Sequence, residues 1–262
     1  MDEIKITDHA GVRMIAIDRP AKRNALTAAM YGALGDAVGG AAVAGARAIW
    51  LHGSAECFTA GNDMADFARA RPGGRSPAID FLKLLVDAPT PIVASVNGAA
   101  IGIGTTLLLH CDLVYCSAGA RFQMPFVNLG LCPEAASSLL LPLRAGSLRA
   151  NELLMLGDPF DAATAREAGL VNAILPDAAA ADAMGLDRAT ALAAKPPEAL
   201  RETRRLLRHW TRVRTLEAIG VESLAFAALL QGPEAREALA AFQEKRAPDF
   251  NAAAALTRAA EG

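Results

Sequence analysis

Alternation of apolar and polar positions marks the N-terminal stretch. Ile4 to Thr7 and Val12 to Asp18 read as two strands of a hairpin, joined through Asp8-His9-Ala10-Gly11. Pro20 ends the second strand, and Thr27 is placed to cap a helix running to about Val43. Apolar residues then come in unbroken runs. Ala46 to His52 and Pro91 to Val96 are such runs, and each predicts a strand buried on both faces. Between them, Gly53 to Asp63 reads as a loop, Met64 to Ala70 as a short helix and Ile79 to Val86 as another. Arg71-Pro72-Gly73-Gly74-Arg75 is by composition the most disorder-prone segment.

The pattern is densest from Pro91 to Asp112. A β-branched strand breaks at Asn97-Gly98, small residues follow to Gly104, and Thr105 to His110 opens an apolar helix. Small residues let a ligand approach the backbone, and a helix start presents unpaired N–H groups. Leu113 to Cys116 and Arg121 to Gln123 predict two more strands, and Pro133 to Leu143 a helix with Glu134 in its first turn. Ala150 to Leu156 reads as helix, Asp161 caps Ala162 to Ala168, and Gly169 to Leu175 is a strand. Everything after Asp177 reads as helix, cut into four pieces at Pro196, Gly220 and Gly232-Pro233. Strand–helix alternation over the first two-thirds implies an α/β fold with a mainly parallel sheet. The expected division is 1–195 as core and 196–262 as a C-terminal helical oligomerisation region.

Composition narrows the function classes. Of 262 residues, 53% are hydrophobic, enough for a large core, and the formal net charge of −2 argues against a nucleic-acid partner. The Pro91 to Asp112 run is too interrupted by Asn97, His110 and Asp112 for a membrane span. The polar, strand-like N-terminus does not read as a signal peptide. Cys57, Cys111, Cys116 and Cys132 lack metal-ligand spacing and read as buried thiols, which points to the cytoplasm. His9, His52, His110 and His209 are scattered, and His110 reads as a satisfied core histidine. No metal site is expected.

Two loops carry the candidate chemistry. Phe58-Thr59-Ala60-Gly61-Asn62-Asp63-Met64 and Asn97-Gly98-Ala99-Ala100-Ile101-Gly102-Ile103 each follow a buried strand and lead into a helix. If they converge, each offers one backbone N–H to the same point, as a thioester oxygen needs when it becomes an enolate. Spacing alone does not bring them together.

These stretches resemble the crotonase superfamily, the enoyl-CoA hydratase/isomerase family, from about Ile4 to Phe250. The marks are Arg19-Pro20-x-x-x-Asn24-Ala25-Leu26, Phe58-x-Ala60-Gly61-x-Asp63 and Pro91-x-Val93-Ala94-x-Val96-Asn97-Gly98. Cys111-Asp112, Ala168-Gly169-Leu170-Val171 and Phe242-x-Glu244-Lys245-Arg246-x-Pro248-x-Phe250 extend them. The resemblance implies a spiral of ββα units with a C-terminal helical layer, an acyl-CoA thioester as substrate, and homotrimers or hexamers. Coenzyme A enters as part of the substrate, so no separate cofactor is expected.

By the same resemblance the oxyanion donors are the N–H groups of Asn62 and Ile103. The two glutamate positions of a hydratase hold Thr106 and Phe126, neither of which can act as a carboxylate base. Glu134 remains, and the run from Phe122 to Glu134 resembles the peroxisomal-type Δ3,Δ2-enoyl-CoA isomerases, where a glutamate shuttles one proton. Taken alone, an acid in the first turn of a helix serves the macrodipole. Lys22, Arg23, Ala25 and Ala60 resemble the CoA clasp, with Asp63, Gly102 and Phe126 beside the donors. Lys245 and Phe242 resemble the residues that reach the nucleotide, often from a neighbouring subunit. The expectation is therefore a 3-enoyl-CoA to trans-2-enoyl-CoA isomerase. The alternatives are a hydratase or other crotonase acting on CoA thioesters, or a non-catalytic acyl-CoA-binding subunit.

Overall fold

Two sheets organise the chain in the computed structural model, which describes residues 3–67 and 76–253. The strands are β1 (Ile4–His9), β2 (Val12–Ile17), β3 (Ala48–His52), β4 (Cys57–Thr59), β5 (Ile92–Val96), β6 (Ala99–Ile101), β7 (Leu113–Ser117), β8 (Arg121–Gln123), β9 (Phe160–Asp161) and β10 (Ala173–Leu175). The first helices are α1 (Ala28–Gly39), α2 (Met64–Phe67), α3 (Pro77–Asp87), α4 (Ile103–Thr106) and α5 (Ser137–Ala145). There follow α6 (Ser147–Asn151), α7 (Ala162–Glu167), α8 (Ala178–Ala193), α9 (Pro197–Leu230) and α10 (Pro233–Glu244).

The larger sheet has the order β1-β2-β3-β5-β7-β10, the smaller β4-β6-β8-β9. Only β1–β2 and β8–β9 pair antiparallel. Successive strand pairs β3/β4, β5/β6 and β7/β8 each give their first member to the large sheet and their second to the small one. The chain thus winds as a spiral of ββα units.

Period-two placement decides the faces of the large sheet. Ile49 and Leu51 enter a core with Leu34 of α1 and Phe81 and Leu85 of α3. Ala48 and Trp50 face the opposite way, under Ala189 and Ala193 of α8. All five residues of β5 are buried, as its unbroken apolar run predicts. Thr27 caps α1 by accepting from the Met30 N–H at 3.3 Å, and Asp161 caps α7 by accepting from Thr164 at 2.8 Å.

The structure differs from the sequence reading in several places. Cys57–Thr59 and Ala99–Ile101, read as loop and turn, are strands of the small sheet. The Gly169 to Leu175 strand shortens to β10. α9 runs unbroken through Gly220, because its packing on α3 and α5 outweighs one glycine, which costs about 1 kcal/mol in a helix interior. The helix expected from Pro133 begins at Ser137, so Glu134 lies outside it. The Arg71 to Arg75 segment and the end of the Met64 to Ala70 helix lie outside the described residues. No described helix is long and apolar enough to cross a membrane.

Candidate active site

Register brings the two loops together. β4 pairs with β6 in parallel, with Thr59 opposite Ala100. Asn62 and Ile103 each lie three residues beyond that rung. Contact between the loops continues past the strands, since a Cβ on Gly61 would meet the Ile101 carbonyl at 2.8 Å. A Cβ on Gly104 would meet Thr59 Cγ2 at 2.6 Å.

The amides around each donor are consumed in holding the loops. Ala60 N–H donates to the Arg23 carbonyl at 3.0 Å, Gly61 to the Thr59 hydroxyl at 3.1 Å and Asp63 to the Leu26 carbonyl at 2.9 Å. Gly102 N–H donates to the Gln123 carbonyl at 2.8 Å. Ile103 opens α4, where an N–H has no intrahelical acceptor. Among the described residues no protein acceptor is recorded for the N–H of Asn62 or of Ile103. Gly102 takes φ +56° and ψ −119°, and a Cβ there would meet nothing within 4 Å, so the turn before Ile103 is open on that side.

Asn24 ties the first loop to the clasp. Its side-chain amide donates to the Cys57 carbonyl at 2.8 Å, its Oδ1 accepts from Arg19 N–H at 2.8 Å, and its carbonyl accepts from the Thr59 hydroxyl at 2.7 Å. Arg23 and Asn24 both have positive φ, which turns the chain so that Lys22 and Arg23 stand exposed while Asn24 is buried. Ala25 and Ala60 are half-buried beside them. The Asp63 carboxylate is engaged within the protein: it pairs with Arg19 at 2.7 Å and accepts from the Ala65 and Asp66 amides at the start of α2. Those partners hold it below the usual carboxylate range, the Arg19 hydrogen bond first.

Glu134 is tied to the second loop's helix. The Thr106 hydroxyl donates to its carboxyl, and Thr106 is three residues along α4 from Ile103. The hydratase-type position therefore supplies a donor to the carboxylate that remains. Burial pushes the Glu134 carboxyl up to about 8, against the Thr106 hydrogen bond and with help from the Glu222 carboxylate. Phe126 and Leu131 are buried in the adjoining core. With α5 starting at Ser137, the helix macrodipole has no claim on Glu134 as a first-turn residue.

Two site residues had no role in the sequence reading. Tyr31 of α1 is buried, donates from Oη to Asn62 Oδ1 at 2.5 Å, and is pushed up by burial and then by the Glu134 charge. Glu222 of α9 accepts from the Ala136 and Ser138 amides at 2.6 and 2.9 Å. Neither carries a local signal, because both act across long sequence separations. Lys245 and Phe242 lie at the C-terminal end of α10, which packs on α9 and near Val127–Leu129 and leaves both side chains exposed.

Known proteins give the same frame. The enoyl-CoA delta isomerase 2 of Rattus norvegicus is 34% identical over 212 residues, which are 78% of this chain and 54% of that protein. The chain thus spans about half the length of that relative. The 2,3-dehydroadipyl-CoA hydratase of Escherichia coli (strain K12) is 30% identical over 260 residues, 95% of this chain and 99% of the hydratase. An enoyl-CoA hydratase/isomerase structure from Pseudoalteromonas atlantica T6c superposes with a TM-score of 0.89 at 40% identity, over 95% of this chain and 100% of the other. The family model described as enoyl-CoA hydratase/isomerase matches residues 7–253, and the chain belongs to that family.

Proposed function

We propose that the protein shifts the double bond of a 3-enoyl-CoA to give trans-2-enoyl-CoA. The observation that carries this reading is the Thr106–Glu134 hydrogen bond beside the Ile103 amide. One carboxyl, hydrogen-bonded to α4 through Thr106, remains to act with the two amides, and the positions that would hold a hydratase's glutamates are a buried threonine and a buried phenylalanine.

The Glu134 carboxylate takes a proton from C2. The C–H electron pair moves into the C2–C1 bond, and the thioester oxygen gains charge. The Asn62 and Ile103 amides donate to that oxygen; such donors typically contribute about 10²–10³ each in rate. The protonated Glu134 then returns its proton at C4, the double bond settles between C2 and C3, and the oxygen gives its charge back. A carboxyl near 8 is suited to both taking and returning a proton. Lys22, Arg23 and Ala25, with Ala60 beside them, would clasp the adenine and pantetheine of CoA, and Gly102 and Phe126 would border the acyl group. Lys245 and Phe242 stand ready for the nucleotide of a neighbouring subunit in a homotrimer or hexamer. Exposed Leu206, Leu207, Trp210 and Val213 along α9 support such an assembly of 196–262.

The test is turnover of a 3-enoyl-CoA beside a 2-enoyl-CoA by wild type and Glu134→Gln. Isomerisation is expected in the wild type and a loss of about 10²–10⁴ in the variant. Efficient hydration of the 2-enoyl-CoA with no isomerisation would move the protein to the hydratase reading, which the end-to-end match with the E. coli hydratase favours.

A further inference from the structure

The turn that presents Glu134 has an unusual backbone. Ala135 and Ala136 have φ of +60° and +55°, a region unfavourable to any residue with a Cβ. Ala136 occupies the N-cap position of α5 and has no capping side chain. The cap comes from α9 instead, 86 residues away. Glu222 Oε2 accepts from the Ala136 N–H at 2.6 Å, and Oε1 accepts from the Ser138 N–H at 2.9 Å and its hydroxyl at 2.5 Å. From the other side, His110 Nε2–H donates to the Ala135 carbonyl at 2.8 Å. Both residues are buried, at 6% and 3% exposure.

We propose that Glu222 is a positioning residue: it clamps the Ala135–Ala136 turn against His110 and so fixes the Glu134 carboxyl over the Asn62 and Ile103 amides. This rests on Glu134 being the base. The arrangement exceeds what capping α5 requires, since a cap residue within the loop itself would satisfy those amides. A remote carboxylate couples α9 to the reacting end of the site. It also sets a second carboxyl near Glu134; burial raises that carboxyl while the Ser138 and Ala136 donors favour its ionised form, and once ionised it disfavours ionisation of Glu134. The other titratable groups facing Glu134 are Tyr31 from α1 and Cys132 from its own loop, both neutral in their working range. His110 behind the turn is held neutral, its imidazole pushed down to about 4 by burial.

The experiment compares isomerisation by wild type, Glu134→Gln, Glu222→Ala and Glu222→Gln across pH, with folding checked by circular dichroism. Glu222→Ala releases the turn, and kcat is expected to fall about 10²-fold with KM nearly unchanged, as for a misplacement of about 1 Å. Glu222→Gln, which keeps an acceptor for Ala136, is expected to recover part of that loss. With the charge gone, the acid limb of its rate profile moves to lower pH. If Glu222→Ala folds and keeps wild-type kcat while Glu134→Gln is inactive, the positioning role is overturned and the base stands. If Glu134→Gln turns over at the wild-type rate, the base assignment fails, and positioning with it. Should Glu222→Ala not fold, Glu222→Asp, which draws the carboxylate back from the turn, decides: wild-type kcat in that variant overturns the proposal.

Discussion

The hydroxyl of Thr106 donates to the carboxyl of Glu134 across 28 residues of sequence. This bond favours the ionised carboxyl, against the burial that opposes it. Thr106→Val keeps the shape and removes the donor. Glu134 then holds its proton more tightly, so the acid limb of kcat/KM is expected to move to higher pH. Activity at neutral pH falls, and a profile identical to wild type would count against the coupling.

Glu134 also bears on stability. Its carboxyl is raised from 4.5 to about 8 on folding, so between those values the folded state binds more protons than the unfolded one. Stability is therefore lost as pH rises through that window. Glu134→Gln cannot ionise and escapes the loss. Above pH 8 the variant is expected to be the more stable protein by up to roughly 5 kcal/mol, at about 1.36 kcal/mol for each pH unit between 4.5 and 8. Urea denaturation at pH 5 and at pH 9 tests this, with the gap between the two proteins opening only at the higher pH.

At Gly104 the start of α4 packs so tightly on the first loop that a Cβ would meet Thr59 Cγ2 at 2.6 Å. Thr59 cannot swing aside freely, because its hydroxyl donates to the Asn24 carbonyl and accepts from the Gly61 amide. Gly104→Ala pushes the loops apart. Isomerisation is expected to drop about 10²-fold, the order of removing one oxyanion donor, while the variant stays folded. Retained activity would show that the loops tolerate the wedge.

Asp112 joins the long helix to the start of β5. It pairs with Arg204 at 2.9 Å and Arg208 at 3.0 Å, and accepts from the Ile92 N–H at 2.7 Å. Asp112→Ala leaves two largely buried guanidiniums without their counter-charge. A loss of about 3–5 kcal/mol is expected by equilibrium unfolding. A change below about 1 kcal/mol would mean that water replaces the carboxylate at little cost.

The central strands of the large sheet are legible in the sequence because they bury both faces. Ile92 to Val96 is apolar at nearly every position, and that demand is local. The small sheet is legible only at Arg121 to Gln123: its other strands are two or three residues long and exist only through pairing with their neighbours. The donor loops can be picked out as strand–turn–helix junctions, but their meeting depends on the Thr59–Ala100 rung, which no single segment encodes. Glu134 stands out only through the resemblance to the isomerases, and its setting does not stand out at all. Pro133 followed by an acid resembles a helix start, and nothing nearby announces that Ala135 and Ala136 turn left-handed under the hold of His110 and Glu222. Gly220 reads as a break, but a propensity is a small effect beside the packing of a 34-residue helix.

The pairing of β4 with β6 has one more consequence, for anyone mapping this protein by mutation. On the proposed chemistry, the groups that hold the transition-state charge are main-chain atoms spaced by a ladder of hydrogen bonds. Replacing the side chain of Ile103 leaves its N–H in place. An alanine scan would thus register Ile103 as a packing residue and pass over the atom that matters most. Substituting the backbone itself, ester for amide at Asn62 or Ile103, would make that silent contribution visible.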